Sequence, residues 1–207
     1  MATATLVALP AGEARALPTG YGTGRGYCSA YGNRPSSYSF EDVYACATTA
    51  SWGPTPFDSA GDESFQCVEL SARFLWAIYG IWAGPDTGVR TGADLVSVVH
   101  AQRSWIRVGF PAPGSVPVAG DIVSLGPGGA VDARFGHTAV VVSDDQRHGK
   151  FVIMGQNFPI GRAGEETAFV DFRGRHNGRA LIYGVWTAAS WLDLRRRPPP
   201  TPDQHLR

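Results

Sequence analysis

Residues 65–81, FQCVELSARFLWAIYGI, carry the strongest periodic signal in the chain. Val68, Ala72, Leu75 and Tyr79 recur at helical spacing, and Cys67, Ser71, Phe74 and Ile78 form the adjacent stripe, so the pattern predicts a helix over 64–79 with a broad buried face. Gly80 marks its end. Asp62 or Ser64 in GDES supplies the N-cap, which puts Cys67 in the first turn in either case. TGADLVSVVHAQR, 91–103, reads as a second, shorter helix capped by Thr91 or Asp94. After it the period shortens to that of strands: DIVSL at 121–125, HTAVVV at 137–142, FVIMGQN at 151–157, TAFVDF at 167–172 and LIYGVW at 181–186, each bounded by Gly, Pro, Asp or Asn. Helices followed by an antiparallel meander imply an α+β fold, with the helices packed on one face of the sheet.

Residues 1 to about 60 show no sustained period, and no internal repeat is visible. The expected organisation is an N-terminal arm over 1–37, one compact domain over 38–192 and a tail over 193–207, whose RRR and PPPTPDQHLR read as a solvated, disordered end. TATLVAL followed by Ala14-Arg15-Ala16 fits either a shortened secretory signal or a loose terminus. No apolar run reaches 18 residues, so no membrane-spanning helix is expected.

Composition narrows the partners more than the fold. The formal net charge is +0 and the pI about 7.0, so no overall field draws the chain to nucleic acid or anionic membrane. With 26 Gly and 15 Pro in 207 residues, turns and short strands are favoured over long helices. The 3 cysteines divide as two plus one: Cys28 and Cys46 flank a loop-rich stretch that would gain from a disulfide, and Cys67 is the odd thiol. A Cys28–Cys46 disulfide implies an oxidising compartment. There is no C-x2-C or H-x3-H spacing, and no metal or cofactor is expected.

The hairpin between HTAVVV and FVIMGQN yields the candidate chemistry. With its turn centred near Arg147, antiparallel partners have numbers summing to 294, which sets His137 opposite Asn157 and places both on the face of Ala139, Val141, Ile153 and Gly155. Cys67 at a helix N-terminus, packed against that face, completes a device: the thiol attacks as thiolate, the imidazole takes its proton, and the Asn oxygen holds the ring in its productive tautomer. Each residue alone has a plainer role, as core filler, strand residue and turn residue. Their order and the predicted pairing together favour the functional one. His100, His148, His176 and His205 have no comparable setting.

FQCVELSARFL, PVAGDIVSL, RFGHTAVVVS and VIMGQNF resemble the successive signatures of the CHAP domain family, amidohydrolases and peptidases with a papain-like fold, over roughly residues 50–190. The resemblance implies a nucleophile at Cys67, a general base at His137 and an orienting polar residue on the next strand. Many members carry Glu in an EQN run there, whereas this chain has Gly155, which leaves the orienting role to Asn157 and removes a carboxylate. Gln66 is a candidate oxyanion donor, and Trp52, Phe57 and Trp82 are candidate groove residues. Asp121 is expected to shape the turn into its strand, and Glu69 to interact with the helix N-terminus, rather than to catalyse. The resemblance points to bacterial peptidoglycan as substrate, cleaved by a secreted or wall-associated monomer. Two alternatives stand beside it: an amidase of the glutathionylspermidine-cleaving type, acting on a small cytosolic amide, and a catalytically weak module that binds wall polymer or a partner protein.

Overall fold

The computed structural model describes residues 25–30, 34–47, 55, 57, 67–128, 131, 133–157 and 163–194. They form an α+β fold dominated by antiparallel strands. A short helix α1 (Arg25–Ala30) and a hairpin of β1 (Arg34–Phe40) and β2 (Val43–Ala47) come first. Then follow α2 (Cys67–Tyr79), α3 (Leu95–Gln102), β3 (Arg107–Gly109), β4 (Ile122–Leu125), β5 (His137–Asp145), β6 (Lys150–Gln156), β7 (Ala163–Val170), β8 (Arg179–Ile182) and β9 (Val185–Asp193). The expected helix caps Asp62 and Ser64, the first 24 residues and the basic run 195–197 lie outside the described residues.

The strand order is β3-β9-β4-β5-β6-β7-β8, and β8 also pairs with β9, so the sheet from β4 to β9 closes into a barrel. β9 makes the closure possible by serving three neighbours. Its first half pairs with β8 (Arg179 opposite Ala188, Ile182 opposite Val185), its second half with β3 (Val108 opposite Leu192), and its other edge with β4. This corrects the reading of LIYGVW as a single strand. Tyr183 and Gly184 both take positive φ (48° and 76°), the signature of a two-residue hairpin turn whose twist matches the flanking strands. The chain therefore folds back in the middle of that run, and TAASWLD continues as β9.

Strand alternation separates two cores. Leu192, Ile122, Val140 and Met154 form a row across four strands on the outer face, packed with the helices and the N-terminal hairpin. Val123, Ala139, Val141, Ile153 and Trp191 lie on the inner face and fill the barrel with Phe151, Ala168 and Ile182. α2 lies against β5 and β6, and α3 against β4 and β9.

α2 is more completely enclosed than an amphipathic pattern suggests. Every residue from Val68 to Leu75 is buried, including Glu69 and Arg73, because the barrel covers one side and the N-terminal hairpin covers the other. It ends as expected at Gly80, whose N–H donates to Trp76 O (2.9 Å) while Ile81 N–H donates to Leu75 O (3.1 Å). A disulfide joins Cys28 of α1 to Cys46 of β2, as the sequence suggested, and both sulfurs are fully buried with Tyr27, Val43 and Ala45 in the outer core. β1 runs through position 37, so the arm expected over 1–37 and the domain expected from 38 share a strand.

Candidate functional site

Cys67, the leftover thiol, is half-buried at the start of α2. One turn further along the same side of the helix, Ser71 is fully buried, and its hydroxyl shares a 3.2 Å hydrogen bond with that of Thr138. Thr138 in turn donates to Val123 O at 2.8 Å. The start of α2 is thereby tied to the start of β5, where His137 precedes Thr138.

His137 pairs across the ladder with Leu125 and shares the inward face with Ala139 and Val141. The expected packing of Cys67 against that face is corrected, because Cys67 packs against the outer core, on the side of Val140 and Met154. Its backbone is gripped by the loop before α3. Ala93 N–H donates to Phe135 O (3.1 Å), and a Cβ on Gly92 would fall 2.5 Å from the carbonyl carbon of His137. Gly136 takes φ +64°, and a Cβ there would meet Leu125 O at 2.3 Å. No other residue fits the Gly of the GH pair, because both the backbone conformation and the approach of β4 exclude a side chain. The imidazole is only 3% exposed, and burial alone pulls its pKa down to about 3. At neutral pH the ring is neutral.

The β5–β6 register is the one expected beside the site: Val140 faces Met154 and Val141 faces Ile153. A bulge between Val141 and Ser143 shifts the pairs nearer the turn by one, so Ser143 faces Val152. Extended to the start of β5, the unshifted register sets position 137 beside 157. Asn157 itself takes φ +58°, a left-handed conformation that Asn tolerates better than most side chains, and ends β6.

Sequence reasoning passed over Gln156, which sits on the opposite face from its neighbour. It is fully buried; its amide donates to Glu69 Oε2 (2.9 Å) and its oxygen accepts from Cys46 N–H (2.7 Å). Glu69 lies in the first turn of α2, as expected, and is also half of a buried ion pair with Arg73 (2.7 Å) one turn on. Arg73 also donates to Tyr44 O (2.9 Å) and stacks over the Tyr27 ring at 4.3 Å. The E-x3-R spacing inside an apolar helix face is the signal that would have found the pair, since two charges there must neutralise each other. A polar residue in a buried strand is the corresponding signal for Gln156.

The remaining candidates separate clearly. Trp52 and Gln66 lie outside the described residues. Phe57 is fully buried, with its ring 6.4 Å from Tyr27 and 5.4 Å from Trp82, so both Phe57 and Trp82 belong to the outer core. Asp121 shapes its turn as expected, accepting from Val118 N–H (2.9 Å), and it also anchors the end of β9 through Leu194 N–H (3.1 Å). His100 is bonded to Ile106 O, His148 to Asp145, and His176 stacks on Trp186. Among the described residues no group of three or more His, Cys, Asp or Glu side chains could hold a metal ion, and no helix is long and apolar enough to cross a membrane.

A search of curated proteins returned no match to the chain. The family comparison matches residues 57–157, a segment that runs from just before α2 to the end of β6 and so includes Cys67, His137 and Asn157. The family is one of hydrolases, amidases and peptidases. Over these residues the chain matches the model of the CHAP domain family.

Proposed function

We propose that this chain is a cysteine amidohydrolase or endopeptidase that cleaves an amide bond of bacterial peptidoglycan, with Cys67 as nucleophile, His137 as general base and Asn157 orienting the imidazole. The observation that carries it is the pair of hydrogen bonds linking the start of α2 to both strands, Ser71 to Thr138 and Glu69 to Gln156. Each bond reaches the residue next to His137 or Asn157 in the chain, which supports a reading in which the three segments act together.

The neutral His137 receives the Cys67 proton as sulfur attacks the amide carbonyl. Backbone N–H groups of the first turn of α2, which have no partner within the helix, serve the developing oxyanion. His137 then returns the proton to the leaving amine, and water hydrolyses the thioester. With Gly155 where a carboxylate is usual, the orienting role for the imidazolium formed midway falls to Asn157. A modest turnover follows. The Cys28–Cys46 disulfide supports action outside the cytoplasm, at or near the wall, and weighs against a small cytosolic amide substrate.

One observation favours a second reading. An imidazole buried to 3% exposure and pulled down to about 3 by that burial is what a catalytically weak module that binds wall polymer would retain. Alkylation separates the two. A hydrolase shows pH-dependent reaction of Cys67 with iodoacetamide, with loss of activity in proportion; a binding module shows the rate of an ordinary thiol and unchanged wall binding.

A further inference from the structure

Gln156 hydrogen-bonds both the disulfide-bearing strand and the helix of the candidate nucleophile. Its oxygen accepts from Cys46 N–H at 2.7 Å, and its amide nitrogen donates to Glu69 Oε2 at 2.9 Å. Glu69 lies two residues after Cys67, and Gln156 immediately precedes Asn157. Beyond Glu69 the chain of contacts continues through Arg73, whose guanidinium returns to β2 at Tyr44 O (2.9 Å) and approaches Cys46 Sγ (3.8 Å). The result is a closed buried circuit, from Cys46 to Gln156 to Glu69 to Arg73 and back to β2. Within it a carboxylate, a guanidinium and an amide bond one another away from water, and Arg73 Nη1 has no hydrogen-bond partner among the described residues.

We infer that Gln156 is a positioning residue, and that through it the Cys28–Cys46 disulfide holds the Cys67 and Asn157 segments in their working relation, so that the proposed hydrolase is active only when oxidised. The inference rests on the proposed function above. The disulfide fixes β2 against α1, and β2 supplies two of the circuit's contacts. When a dithiol reductant passes two electrons and two protons to Cys28 and Cys46 and is itself oxidised to a disulfide, β2 loses its covalent tether. The circuit then has to satisfy a buried ion pair without a fixed partner strand, and the start of α2 and the end of β6 shift together. Displacements of about 1 Å at a reacting group cost on the order of 100-fold in rate. Ordinary thiol hydrolases gain or keep activity in reductant because the nucleophile must be reduced, so the expected sign here is the opposite one.

The test compares the full-length wild type, Gln156→Met and the double variant Cys28→Ala/Cys46→Ala, each confirmed as folded by circular dichroism at the assay temperature. Three readouts are taken: kcat and KM on soluble peptidoglycan fragments, the rate of Cys67 alkylation by iodoacetamide, and the wild type's activity after incubation with a dithiol. The expected result is a kcat lowered about 10–100-fold with KM within about 2-fold, slower alkylation in parallel, and loss of wild-type activity in dithiol. Variants that only melt earlier, with kcat and alkylation rate unchanged, would overturn the inference, as would a wild type equally active in dithiol. If either variant does not fold, the dithiol experiment decides, since it needs no substitution. A wild type that cleaves nothing, yet whose alkylation slows in both variants and in dithiol, would overturn the hydrolase reading and support the coupling.

Discussion

The hydroxyls of Ser71 and Thr138 meet at 3.2 Å, and this bond ties the first turns of α2 to the start of β5. Ser71 stands one turn from Cys67, and Thr138 follows His137, so the bond is a measure of how the proposed nucleophile and base are held. Ser71→Ala removes it while Thr138 keeps its bond to Val123 O. The expected outcome is a stability loss of about 1 kcal/mol, near the net worth of one buried hydrogen bond. Turnover should fall about 10-fold at unchanged KM. Urea unfolding together with steady-state kinetics checks both.

The buried His137 makes stability depend on pH with a definite sign. Above about pH 6.5 the imidazole is neutral in both the folded and the unfolded chain and contributes no slope. Below that the unfolded chain takes up a proton, while the folded one, with its pKa lowered to about 3, does not. Stability is therefore lost as pH falls from about 6.5 towards 3, by an amount on the order of 3–5 kcal/mol. Half-buried Asp145 and Asp171, both held below the usual carboxylate range by hydrogen bonds from neighbouring groups, add to the fall in the same direction. His137→Gln should flatten the Tm-against-pH curve over this window. An unchanged curve would remove burial of the imidazole as its cause.

Glu69→Ala leaves the Arg73 guanidinium fully buried without its carboxylate and deprives Gln156 of an acceptor. Breaking one side of a buried ion pair costs about 3–5 kcal/mol. Denaturant titration should show a loss of that size, whereas an exposed control such as Glu41→Ala should change stability by about 0.5 kcal/mol or less.

Gly155→Glu places a carboxylate where CHAP signatures usually carry one. A carboxylate close to the imidazole favours its charged form and raises its pKa. The expected outcome is a higher His137 pKa by NMR titration and faster Cys67 alkylation below pH 7. A variant with an unshifted His137 would show that position 155 does not face the ring in this chain.

How far the sequence led depended on which residues carry their reasons locally. The helix from Cys67 to Tyr79 was legible because its apolar stripes and the terminating Gly80 lie within one segment, and the β5–β6 register was legible because alternation fixes it on both strands. The barrel was not. Its closure depends on β9 meeting β8, β3 and β4 at once, and nothing in TAASWLD states which edges it joins. The Tyr183-Gly184 turn was hidden for a related reason, since an apolar run interrupted by a single Gly also reads as one strand with a bulge. Of the candidate site, Cys67, His137 and Asn157 were proposed from order and spacing. The Gln156–Glu69–Arg73 circuit was not, because it is satisfied by β2, a strand about 110 residues away in sequence from Gln156 that no period announced.

The most direct test is digestion of purified peptidoglycan by the wild-type chain and by Cys67→Ala, with released fragments identified by mass spectrometry. New amino ends from the wild type alone are the predicted result, and their position would name the amide bond cleaved. Equal release by both proteins, or none by either across walls of different cross-bridge chemistry, would contradict Cys67 as the nucleophile of a peptidoglycan hydrolase.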